Sequence, residues 1–107
     1  MVDKYLIEDI EIEKTLQLLI GTRGTIEEIK QKMAKRFFKK IKKLQTLKIF
    51  DLVEDKNMEI IVDNALIGSI LVIDKGGREV QYDIQLFYIK DNLDNYYITE
   101  TQVLGEV

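Results

Sequence analysis

The 107-residue chain carries 16 basic and 19 acidic side chains for a net charge of −3, and it contains no cysteine, histidine, tryptophan or proline. Without Cys there is no disulfide, thiol nucleophile or thiolate ligand, and without His the commonest metal ligand and neutral-pH proton carrier is missing, so most metal, thiol and histidine enzymes are excluded. An apolar share of 46% is too high for a disordered chain, and the length suits one domain spanning residues 1–107 that buries roughly 60–68% of the surface its unfolded form exposes.

The N-terminal Met1-Val2-Asp3-Lys4 is polar, and no apolar stretch approaches the roughly 18 residues that span a bilayer. The expectation is a cytoplasmic protein with no membrane association. From Asp9 to Ile20, Ile12, Leu16, Leu19 and Ile20 fall at the spacing of an amphipathic helix, with Gly21 placed to stop it and Gly21-Thr22-Arg23-Gly24 reading as a loop. Thr25-Ile26-Glu27-Glu28 has the S/T-x-x-E form of a capping box, which starts a helix by satisfying free amides at its first turn. From there Ile26, Ile29, Met33, Phe37, Ile41, Leu44 and Leu47 recur every three or four residues without Gly or Pro, predicting a second, long helix over about 25–47.

Strand signals follow. Ile49–Val53 and Met58–Val62 are short apolar runs flanking the turn-like Glu54-Asp55-Lys56-Asn57 and predict a hairpin. Ser69–Asp74 is almost wholly apolar, as a central strand would be, and Lys75-Gly76-Gly77-Arg78 supplies the next turn. Val80, Tyr82, Ile84, Leu86 and Tyr88 alternate with polar residues, Asp91–Asn95 is a turn cluster, and Tyr96–Leu104 reads as a final strand. Helices first and strands afterwards predict an α+β domain, two N-terminal helices packed on a four- to five-stranded antiparallel meander.

Charge is unevenly distributed. Nine of the 16 basic residues lie between Ile29 and Lys48, a stretch with no acidic residue, while the rest of the chain holds seven basic against 19 acidic residues. On a continuous helix Lys32, Lys35, Arg36, Lys39, Lys42 and Lys43 fall within roughly 120° opposite the apolar stripe, and Phe38 lies at its edge. Such a run is more often a solvated helix face, and the missing acidic i+4 partners are what point to the alternative, attraction of acidic surfaces and phosphates. Phe38 either packs beneath a neighbouring element or anchors a partner. The order of helix, helix, basic helix and hairpin resembles a winged-helix DNA-binding domain. The chain departs from that pattern at Gln31-Lys32-Met33-Ala34-Lys35-Arg36, where no turn residue separates two helices.

The remaining polar motifs read as structure. Asp91–Asn95 lacks the Gly and closing Glu of a calcium loop, Gly76-Gly77 suits a turn, and Ser69, the only serine, has no histidine to activate it. Asp74 and Asp83 are placed to face one another across a hairpin, and Tyr82, Phe87, Tyr88, Tyr96 and Tyr97 suit cross-strand packing. The expected function is therefore a non-enzymatic interaction module, of the accessory, inhibitor, immunity or regulator kind, without cofactor, metal or small-molecule substrate. It would engage an acidic protein partner, or a second copy of itself, through Lys32, Lys35, Arg36, Lys39, Lys42, Lys43 and Phe38. The alternative is nucleic-acid binding through the basic segment 30–48, against which the acidic remainder weighs.

Overall fold

A computed structural model describes residues 4–55 and 64–107. In chain order it places α1 (Asp9–Gln17), β1 (Arg23–Gly24), α2 (Ile26–Lys40), β2 (Leu44–Glu54), β3 (Asn64–Asp74), β4 (Glu79–Lys90) and β5 (Tyr96–Glu106). The strands form one antiparallel sheet in the order β1-β5-β4-β3-β2, a meander in which each of β2 to β5 pairs with its neighbour in sequence. The α+β architecture follows, two helices against a five-stranded sheet. No helix among the described residues is long and apolar enough to cross a membrane.

The helix starts form as their sequences require. At α2 the Thr25 hydroxyl accepts from the Glu28 amide and the Glu28 carboxylate accepts from the Thr25 amide, each at 3.2 Å, closing the predicted capping box. At α1, Glu8 and Glu11 make the equivalent reciprocal pair. This helix ends at Gln17, three residues before the predicted end at Ile20; Leu18, Leu19 and Ile20 continue in tight i→i−3 turns. Gly21 then adopts φ +89°, a left-handed conformation that L side chains rarely hold. Leu19 is buried as expected but Ile20 is exposed. The predicted loop at 21–24 contains the two-residue strand β1, which pairs with Tyr96 and Tyr97.

The second helix is shorter than predicted, ending at Lys40, with Ile41 extended at φ −106° and ψ 94°. Leu44 and Leu47, which continue the helical spacing, lie instead in β2, opposite Asp74 and Val72. Two effects favour the switch. Four like charges at Lys35, Lys39, Lys42 and Lys43 would repel along a continued helix. Pairing with β3 also buries Leu44 and sets Leu47 and Ile49 against the core, which an isolated helical turn cannot do. α2 is unbroken across Gln31–Arg36, so it holds no turn of the kind a helix-turn-helix requires.

The β2 stretch 49–53 pairs with β3, whose partner residues there run from Ile67 to Ile70; the predicted partner strand Met58–Val62 lies outside the described residues. β3 is internal, as predicted, but alternates: Ile70, Val72 and Asp74 are buried while Leu71 and Ile73 are half-buried. Residues Asp51 and Leu52 interrupt the β2–β3 register as a bulge, with Asp51 at φ +45°. The bulge turns Leu52 into the core at 2% exposure. One hydrophobic cluster joins both layers, with Ile12 and Leu16 of α1, Ile29, Met33 and Phe37 of α2, and Leu66, Ile70, Ile84, Leu86 and Ile98 of the sheet.

The sheet is curled. β2 and β5 are three strand spacings apart, about 14 Å on a flat sheet, yet the Tyr96 hydroxyl of β5 donates to Glu54 of β2 at 2.6 Å. The curl wraps the concave face around the helices and leaves the outer face of α2 open to solvent.

Candidate functional site

The outer face of α2 is built by the same periodicity that makes its core. Ile29, Met33 and Phe37 are fully buried, and residues roughly 120–160° around the helix from Met33, namely Lys35, Phe38 and Lys39, project outward. Phe38 keeps 48% of its surface exposed. It is not buried under α1 or a loop, and on the helix it lies one turn from Lys35 at the edge of the basic face. Lys35, Arg36, Lys39, Lys40 and Lys42 take part in no ion pair or hydrogen bond among the described residues, and Arg36 is half-buried at the edge of the stripe. A groove of about 300 Å³ opens beside this face between α1 and the end of α2, lined by Glu11, Lys14, Thr15, Leu18, Lys40 and Ile41.

The shortened helix rearranges the other predicted cations. Lys43 lies past the end of α2 and turns toward α1, where its ammonium donates to the Leu6 carbonyl at 2.7 Å and to the Glu11 carboxylate at 3.0 Å. Partial burial opposes ionisation of Glu11, but the Glu8 amide and the Lys43 ammonium outweigh it and hold this carboxyl below its ordinary value. Lys43 is thus a tether between the N-terminal segment and the α2–β2 turn. Lys32 is half-buried and donates to the Arg23 carbonyl at 2.8 Å, bracing α2 against β1. Lys42 is exposed in the turn after α2, and Lys48 is exposed on β2. The residues that the fold leaves together and free are Lys35, Phe38, Lys39 and Lys42.

A second polar constellation has no local sequence signal. Glu54 accepts from the Tyr96 hydroxyl and, at 3.1 Å, from Lys90. Lys90 also lies 5.2 Å from the centre of the Tyr96 ring, and the Tyr88 and Tyr96 rings meet edge to face at 4.7 Å. The Tyr96 hydroxyl and the Lys90 ammonium hold the Glu54 carboxyl low, while burial and the Glu54 charge push both tyrosines up. Each group is satisfied by the others, so the cluster clamps the curled sheet across β2, β4 and β5.

The remaining candidates resolve as structural contacts. Asp74 and Asp83 do not face each other: Asp74 is buried and accepts from the amides of Gly76 and Arg78, and Asp83 lies opposite Ser69, whose hydroxyl donates to it at 2.7 Å. Asp91 caps its own turn by accepting from the amides of Leu93 and Asn95 and is paired with Arg23. Tyr82, Tyr88 and Tyr96 are buried, whereas Tyr97 is exposed. The described residues contain no group of three or more His, Cys, Asp or Glu able to hold a metal ion. No protein-family model, curated protein or solved structure matches the chain.

Proposed function

We propose that the protein is a non-enzymatic interaction module that engages an acidic protein partner through the outer face of α2. The observation that carries this reading is Phe38, nearly half exposed at the edge of the helix face that carries Lys35 and Lys39. A solvated lysine row needs no exposed aromatic residue beside it. A docking surface does, since burying one large side chain in a partner supplies about 1.5–3 kcal/mol and surrounding charges set orientation and association rate. Free lysines suit this role because they surrender no existing ion pair on binding. Glu27 and Glu28 at the N-terminal end of the same helix limit the positive stretch to a short patch, which fits an acidic protein surface better than a long phosphate backbone.

The test is retention from host lysate at low salt, with and without nuclease, comparing the wild type with K35E/K39E and F38A. The expected outcome is a defined protein retained after nuclease, lost with both variants and weakened by salt. Lys35 and Lys39 are exposed, so K35E/K39E should keep an unfolding free energy within about 0.5 kcal/mol of wild type, while F38A, which gives up the buried half of the ring, should lose about 1 kcal/mol and stay folded. Release of the retained material by nuclease would transfer the surface to nucleic acid, and variant-independent retention would remove α2 from the interaction.

A further inference from the structure

β5 is bordered on its outer side by β1 only at Tyr96 and Tyr97. Just beyond, Ile98 turns its N–H and C=O to that same side, where they meet the Thr22 carbonyl at 2.9 Å and the Gly21 amide at 2.8 Å. Backbone groups of a strand alternate between its two edges, and a bulge between Ile98 and Glu100 shifts that alternation by one residue. Thr101 and Val103 are therefore the next to face outward. The Thr101 amide agrees: it donates at 3.3 Å to the carboxylate of its own neighbour, Glu100. Among the described residues no strand lies beside this stretch.

The open edge lies along a groove of about 250 Å³ with Glu13, Leu16 and Gln17 of α1 on one wall and Thr101, Gln102 and Val103 on the other. Leu16 at its base is buried and Val103 packs against the core, and the rest of the lining, Glu13, Gln17, Thr101 and Gln102, is polar. Glu13 and Glu100 are exposed at the rim. At the far end Asp9 and Glu106 approach closely enough that the Glu106 carboxyl is held above its ordinary value, with Arg78 nearby. The opposite sheet edge differs in charge among the described residues, because Lys48 is exposed on β2, a common way of blocking edge pairing.

We propose that the groove between α1 and β5 accepts a short, extended, basic segment of a partner protein as an added strand. Its main chain bonds to the outward groups of Thr101 and Val103, and its Lys or Arg side chains meet Glu13 of α1 and the exposed Glu100 of β5. Register breaks on either side, at Thr99 and Leu104, limit the docked stretch to about three to five residues. This surface is separate from the basic face of α2, which would repel the same ligand.

The probe is a capped nonapeptide of alternating Lys and Val, titrated to about 1 mM into the isotopically labelled full chain and followed by amide shifts and hydrogen exchange. Two companion peptides carry Glu in place of Lys, or methyl groups on alternate backbone nitrogens. The expected result is movement of the Thr101 and Val103 amides, exchange slowed about tenfold there, and at least tenfold weaker binding of both companions. T101P, which deletes an outward donor and spares the β4 ladder, should abolish binding, whereas K35E/K39E should leave it unchanged. Binding by the methylated or Glu peptide as tight as by the parent, shifts confined to α2 or β2, or no shift at all would overturn the proposal.

Discussion

Gly68 offers the sharpest test of the bulged packing of β2 on β3. It lies in the middle of β3, opposite Ile84 of β4, and a Cβ added there would sit 2.9 Å from the Phe50 carbonyl oxygen, 3.1 Å from Leu52 Cα and 3.3 Å from Leu52 Cδ1. The first two are backbone atoms and cannot rotate aside. Ordinary contact begins near 3.4 Å, so β2 must withdraw by about half an ångström at the point where its bulge sends Leu52 into the core. Alanine has one compensation, a less flexible unfolded chain, worth about 0.4–1 kcal/mol. Overpacking against fixed neighbours costs about 1–3 kcal/mol, so the clash prevails and G68A should lose about 1–2 kcal/mol. For a domain of this size that lowers the melting temperature by about 4–15 °C. Urea unfolding followed by circular dichroism measures the loss, with an unchanged slope expected because the surface exposed on unfolding is the same. A G68A chain as stable as wild type would refute this close approach of β2 to β3.

Lys43 and Lys42 should behave differently although they are adjacent in sequence. K43M removes the bonds to Leu6 and Glu11 and should cost about 1 kcal/mol, while K42M should change stability by less than about 0.5 kcal/mol; the Glu11 carboxyl should titrate higher in K43M alone, read by NMR. Asp91 is held down to about 2, from an ordinary 3.8, foremost by the Asn95 amide and then by Arg23 and the Leu93 amide. A carboxyl lowered by folding lends stability that is present above about pH 4 and lost as pH falls through about 2. D91N should therefore unfold at lower urea than wild type at pH 7, and the two should converge toward pH 2. Curves separated equally at both pH values would show that the charge of Asp91 contributes nothing.

Much of the fold was legible from local pattern. The Thr25–Glu28 capping box, the alternation of β4 from Val80 to Tyr88 and the turn residues Gly77 and Asp91 each depend on chemistry within a few positions. The errors arise where distant pairing competes with local spacing. Ile41, Leu44 and Leu47 satisfy helical spacing, and only the presence of β3 beside them makes Leu44 and Leu47 strand residues. Of the candidate site, Lys35, Phe38 and Lys39 were legible because they lie within one helix. Lys43 was misplaced because its direction depends on where that helix stops.

The order of residues alone was enough for the α+β class, the start of α2, the last three strands in their order and the concentration of positive charge before Lys48, since all of these are set by composition, period and neighbouring residues. The packed fold was needed to show that Lys32 and Lys43 are occupied while Lys35, Lys39 and Lys42 are free, that Glu54 meets Tyr96 across a curled sheet, and that β5 keeps an open edge beside α1. Each of those depends on contacts between elements far apart in the chain, where the register of one strand against the next, and not the spacing of residues within it, sets which groups meet.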